Sequence, residues 1–167
     1  MGTRIHELLE ITKMIQTCQI HPPEGFPILQ EQHLLPDDLK EFYEMCGGID
    51  LFVDSGFPSR IPPPSQVRLA NDVLFKDMSS EEKKKTRQHI SWSWYIIVEA
   101  PSSQYITIDL APERLGQCYN SSWLYHPGNS YIVAQSFTNM LDRLIGARGH
   151  TEFWEEVVDR QSPYDDG

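Results

Sequence analysis

Asp109 is the side chain whose type and position best suit catalysis. It follows the apolar and β-branched run Ile106-Thr107-Ile108, and a carboxylate at a strand end can act as a general base or a metal ligand. The same position suits an aspartate that accepts hydrogen bonds from the next turn, residues 111–116, and we favour this structural role. The enzyme hypothesis that stays open is a metal-dependent hydrolase using Asp109 with His126.

Sequence patterns of other catalytic and metal sites are missing. The six histidines show neither H-x-x-x-H nor H-E-x-x-H spacing, which would place two ligands on one helical face. There is no G-x-S-x-G nucleophile motif, and Gly47-Gly48 lacks the G-K-[ST] sequel of a phosphate-binding loop. The sequence therefore predicts no catalytic residue, no metal and no cofactor.

The charge distribution constrains the partner. The net charge is −10, with −6 in residues 1–60, zero in residues 61–120 and −4 in residues 121–167. An acidic surface repels phosphate backbones and anionic lipid headgroups. We therefore expect a basic protein partner, and neither direct nucleic-acid binding nor membrane binding.

Three features predict a cytoplasmic protein. No stretch approaches the roughly 18 to 20 apolar residues of a membrane-spanning helix. Residues 1–19 interrupt their apolar pattern with charged side chains, unlike a secretory signal. The three cysteines are widely spaced and include no C-x-x-C pair, as is usual in a reducing compartment.

The elements that would position these residues follow from periodicity and capping. Helical spacing of apolar residues predicts a first helix over residues 3–16. A second helix begins at Leu35-Pro36-Asp37-Asp38 and ends at Gly47-Gly48, with Leu39, Phe42, Tyr43 and Cys46 towards the core. Ser136 caps a third and Thr151 a last helix, and Ser79 has capping-box spacing before a short helix or ordered loop.

Strands are predicted between the second and third of these helices. They cover residues 49–53, 92–99, 104–110, 117–119 and 131–134. Prolines 62–64 exclude a central strand from the loop after residue 53. Because hairpin-length connections join successive strands, we predict an α+β fold with a mainly antiparallel sheet flanked by N-terminal and C-terminal helices. Residues 1–161 form one domain, and residues 162–167 are expected to fray.

A group of acidic residues gives the candidate partner-binding site. On a helical wheel, Asp37, Glu41 and Glu44 fall opposite the apolar face of the second helix. We expect this stripe, with Asp50 and Asp54 in the next segment, to contact a basic surface such as the substrate cleft of a nuclease. An ordinary solvated helix face is the alternative.

The ordered motifs between residues 34 and 146 resemble the SUKH superfamily. They are the helix from Leu35 to Gly48, the strand pair 94–98 and 106–110, and the segment Gly116-Gln117-Cys118-Tyr119-Asn120-Ser121 followed by Tyr131-Ile132-Val133-Ala134-Gln135-Ser136-Phe137. That superfamily includes bacterial toxin-immunity proteins and a yeast regulator of cell-wall synthesis. The resemblance implies an antiparallel sheet packed with helices, a protein-binding role and no catalytic residues.

Two binding functions compete on this basis. The first is an immunity protein that binds and neutralises a cognate bacterial toxin. The second is a scaffold or regulator of cell-wall or signalling proteins. A toxin gene beside this one would favour the first.

Overall fold

The chain folds around one seven-stranded sheet in which every strand pairs antiparallel with its neighbour in sequence. The computed structural model describes residues 3–149 and residue 163. The strands are β1 (Gln19–Ile20), β2 (Ile49–Leu51), β3 (Ser59–Ile61), β4 (Trp94–Ala100), β5 (Gln104–Asp109), β6 (Cys118–Asn120) and β7 (Ile132–Ala134). The helices are α1 (Arg4–Lys13), α2 (Asp37–Met45), α3 (Ala70–Leu74), α4 (Ser80–Thr86) and α5 (Phe137–Gly146). The predicted α+β class is confirmed.

Helices α1, α2 and α5 pack on one face of the sheet. In α2 the predicted core residues Leu39, Phe42, Tyr43 and Cys46 are all buried, and together with Ile49 and Leu51 they belong to the main hydrophobic core. The Phe42 and Phe137 rings meet edge to face at 5.0 Å and join α2 to α5. Aromatic contacts of this kind add to the free energy gained from burying the rings themselves.

The predicted helix caps have the expected hydrogen bonds. The Ser136 side chain accepts from the Asn139 N–H at the start of α5, and the Ser79 side chain accepts from the Glu82 N–H at the start of α4. After α2 the chain turns through Gly48, whose φ is +110°. A Cβ at Gly48 would lie 2.6 Å from the Ile61 carbonyl oxygen, so both backbone conformation and space favour glycine there.

The second face of the sheet carries a smaller core over β4 to β7. There α3 and the chain before β4 form a smaller core with Trp94, Ile96 and Tyr119, in which the Trp94 and Tyr119 rings stack at 4.1 Å. This smaller core includes no residue of β1 to β3, where Arg60 of β3 donates to Gln66 in the 3₁₀ turn Pro64–Gln66. We call this half of the face the open face.

The structure departs from the sequence predictions in several places. Strands β1 and β3 and helix α3 were not predicted, and Trp92 lies in a 3₁₀ turn before β4. The strand predicted over residues 49–53 ends at Leu51, since Phe52 has a positive φ of 52°. The predicted helix after Thr151, the domain limit at residue 161 and most of the predicted tail lie outside the described residues.

No helix within residues 3–149 is long and apolar enough to cross a membrane. The three cysteines, Cys18, Cys46 and Cys118, are all free thiols.

Candidate interaction surface

Asp109 is a buried structural carboxylate. It is completely inaccessible to solvent. Its two oxygens accept hydrogen bonds from five donors: Ser93 Oγ at 2.6 Å, Trp94 Nε1 at 3.1 Å, the Ala111 N–H at 3.1 Å, Arg114 Nε at 2.8 Å and the Tyr119 hydroxyl at 2.8 Å. Burial, and then the nearby carboxylate, raise the pKa of Tyr119 far above its usual value, so this hydroxyl remains a donor. The turn after β5 thus supplies two of the five donors, as the favoured structural role requires.

His126 is held separately, on the loop between β6 and β7. Its Nε2 lies 2.6 Å from Asn71 Oδ1, and its ring contacts the rings of Phe75 and Trp94 at 5.6 and 5.7 Å. Burial, and then the neighbouring His89, lower the pKa of His126 to about 3. Its ring is therefore neutral at pH 7 and binds the loop to α3.

The structure does not assemble the hydrolase site of the enzyme hypothesis. Trp94 contacts both candidate residues, because its indole N–H donates to Asp109 while its ring packs against His126. No hydrogen bond joins the side chains of Asp109 and His126. Between Thr3 and Gly149 no group of three histidine, cysteine or acidic residues is arranged to hold a metal ion.

The predicted acidic stripe on α2 is only partly exposed. Asp37 and Glu44 are exposed, but Glu41 is half-buried, and its carboxylate accepts a hydrogen bond from the Thr3 hydroxyl at the start of α1. Glu41 therefore helps to join two helices. A helical wheel represents α2 alone, so it does not reveal the contact between Glu41 and Thr3 of the neighbouring helix start.

Asp50 lies on the other side of the sheet from this stripe. In β2, Ile49 and Leu51 are buried in the main core while Asp50 between them is half-buried. Since successive strand residues point to opposite faces, Asp50 lies on the open face and α2 covers the opposite one. Asp54 is exposed in the β2–β3 turn. The five predicted site residues therefore do not form one surface.

The register of the first four strands places four polar residues side by side across the open face. Gln19 pairs with Asp50, Asp50 with Arg60, and Arg60 with Glu99. We call these four residues the polar row. Arg60 Nε lies 3.1 Å from a Glu99 carboxylate oxygen, and the guanidinium also donates to Gln66. Asp50 lies 3.0 Å from His21 Nε2.

A groove of about 300 Å³ runs beside the polar row. Val53, Pro58 and Pro101 supply apolar walls, with Asp50, Arg60 and Glu99 along its edge. Val53 is 54% exposed. On the opposite side of Asp50 and Arg60, a second recess is lined by residues that include His21, Glu24 and Pro63.

Sequence reasoning identified Asp50 here but missed Arg60, Glu99 and His21, and Asp54 lines neither recess. Arg60 lies between Ser59 and Ile61 in a buried, half-buried, buried pattern, which is the alternation of a strand with one face in the core. That signal is three residues long and lies next to prolines, so it is weak. Glu99 was placed in a strand, but its pairing with Arg60 depends on chain contacts that the sequence does not reveal.

An antiparallel sheet packed with helices is the fold that the resemblance to the SUKH superfamily implied. The family model described as SMI1 / KNR4 family (SUKH-1) matches residues 30–143, and the chain belongs to that family. It is 34% identical over 152 residues to Immunity protein YokJ of Bacillus subtilis (strain 168), which covers 89% of this chain and 88% of that protein. No solved structure matches the chain significantly.

Proposed function

We propose that this chain is an immunity protein that binds a cognate bacterial toxin in the cytoplasm and neutralises it without catalysis. The observation that carries the proposal is the 34% identity to Immunity protein YokJ over 89% of the chain. A match that covers 89% of this chain and 88% of that protein extends well beyond any single motif.

The non-enzymatic part of the proposal is supported by how Asp109 and His126 are used. A catalytic base must reach a substrate proton, but Asp109 is enclosed and accepts five hydrogen bonds. His126 is occupied with Asn71 and two aromatic rings. Both side chains hold the fold together, and the chain acts through its surface.

The expected partner is a basic toxin domain, such as a nuclease, because the chain carries a net charge of −10. The acidic residues Asp37, Glu41, Glu44, Asp50 and Asp54 remain the proposed contacts, now divided between two surfaces. Charge complementarity of this kind accelerates association and weakens at high salt.

The direct test is neutralisation. The toxic domain encoded beside this gene is expressed in a bacterial host with and without this chain, and binding of the purified pair is measured by calorimetry. We expect host growth to be rescued and a one-to-one complex to form. Persistent toxicity, together with the absence of binding heat, would refute the immunity function. If no toxin gene lies beside this gene, the scaffold or regulatory role is favoured instead.

A further inference from the structure

The open face carries more negative charge than its own ion pairs neutralise. Three carboxylates, those of Glu24, Asp50 and Glu99, line the two recesses that border the polar row. Arg60 also lines both recesses, and its guanidinium is already paired with Glu99. The surface is therefore complementary to a basic segment.

Three side chains of the polar row are positioned by contacts with one another or with neighbouring residues. Its backbone atoms belong to paired strands, and the Arg60 side chain is fixed by Glu99 on one side and Gln66 on the other. Side chains that are ordered before binding lose less conformational entropy when a partner docks.

The groove beside the row suits one apolar side chain. Its volume of about 300 Å³ is at the lower limit of ligand pockets, and its walls include Val53, Pro58 and Pro101. An apolar anchor in a small pocket surrounded by charged residues is the usual arrangement of a binding hot spot. The exposed carboxylates of α2, Asp37 and Glu44, line neither of these two recesses, and isolated surface charges contribute little binding free energy.

We propose that the groove and the polar row form the toxin-binding surface, and that the partner is a basic segment with lysine or arginine next to one apolar side chain. The apolar side chain enters between Val53 and Pro101, and its basic neighbours pair with Asp50 and Glu99. This inference rests on the proposed function, and it assigns that function to the open face in preference to α2.

The test compares variants with the same change in charge on the two sides of the sheet. Asp50→Lys and Val53→Arg alter the open face, whereas Asp37→Lys and Glu44→Lys alter α2. Asp50→Lys and Asp37→Lys each shift the net charge by the same amount. Association with the toxic domain encoded beside this gene is measured by surface plasmon resonance at low and high salt, and thermal midpoints check that each variant folds.

We expect Asp50→Lys and Val53→Arg to slow association about tenfold or more at low salt, and both α2 variants to remain within about twofold of wild type. Loss of binding in the α2 variants with normal binding of Asp50→Lys would overturn the inference while leaving the immunity function intact. A wild-type chain that does not bind the toxic domain refutes both.

Hydrogen exchange on the wild-type complex tests the same surface without any substitution. Toxin binding should slow amide exchange in residues 52–58 and 100–104, next to the groove, and leave residues 37–45 unchanged. If Val53→Arg lowers the thermal midpoint of the free chain and toxin binding leaves exchange in residues 52–58 unchanged, another part of this chain fills the groove and the inference is wrong.

Discussion

The lowered pKa of His126 predicts that the free energy of unfolding decreases in acid. Burial lowers its pKa in the folded chain to about 3, from the usual 6.5 of a histidine. A base whose folded pKa is depressed stabilises the fold above the unfolded pKa, and this stabilisation is lost as the pH falls from 6.5 towards 3. Between these two pH values the His126 ring is protonated in the unfolded chain but not in the folded chain.

The magnitude follows from the two pKa values. At pH 4 the unfolded histidine is almost entirely protonated and the folded one almost entirely neutral. At about 1.4 kcal/mol per pH unit, the difference reaches at most about 3 kcal/mol between pH 7 and pH 4. This is a large part of the roughly 5 to 15 kcal/mol that stabilises a domain.

The assay is urea denaturation at pH 7, 5.5 and 4 on the wild type and on His126→Gln. The variant loses the contact with Asn71 and is less stable at pH 7, but its stability should fall less steeply with acid, by up to about 3 kcal/mol. Because carboxylates titrate in both proteins, the comparison is between the two slopes. His6→Gln, at an exposed position of α1, is the matched control and should follow the wild type.

Two results would refute this reasoning. One is a pH dependence that is the same in wild type and His126→Gln. The other is a ring proton resonance of His126, followed by NMR, that titrates near pH 6.5.

Three further predictions concern the core and the cysteines. Phe42→Ala and Trp94→Ala should each lower the free energy of unfolding by about 3 to 5 kcal/mol, since both rings are fully buried; unchanged urea midpoints would contradict this. Asp109→Asn should cost about 3 to 5 kcal/mol, because it leaves the Arg114 guanidinium without its carboxylate. Glu113→Gln, which removes a largely exposed charge beside the same arginine, should cost under about 1 kcal/mol, and similar losses in both would refute the structural role of Asp109. Because all three thiols are free, adding dithiothreitol should leave the thermal midpoint unchanged, and a drop of several degrees would indicate a disulfide.

The elements that the sequence predicted well are those whose signal is local and repeated. Helix α2 combines a proline start, acidic residues in the first turn and a glycine end, and α5 begins at a serine cap followed by a continuous apolar face. Strands β4 and β5 are long and rich in aromatic and β-branched residues. In each case several independent preferences agree.

The elements that were missed are short or stabilised mainly by tertiary pairing. Strand β1 has two residues and β3 has three, too few for a period of two to be recognised. Helix α3 has five residues and no side-chain cap. The sequence does not reveal long-range register, which places Asp50 and Arg60 opposite each other on the face away from α2. For this reason Asp50 was wrongly grouped with the acidic residues of α2.

Of the six strand pairings in the sheet, the one between β3 and β4 has the fewest residues in register. Arg60 and Glu99 are the one residue pair in register there, whereas β4 and β5 share six pairs. The connection between these two strands spans residues 62–93 and pairs with β4 itself, through the bridge between Leu69 and Tyr95 and the hydrogen bond from the Ile96 N–H to the Arg68 carbonyl. Strands β1 to β3 should therefore open by local fluctuation more readily than β4 to β6, as partially independent folding units do. A partner that contacts both β3 and β4 would link the stability of β1 to β3 to that of β4 to β6. Binding on the open face should therefore raise the cooperativity of unfolding as well as its midpoint.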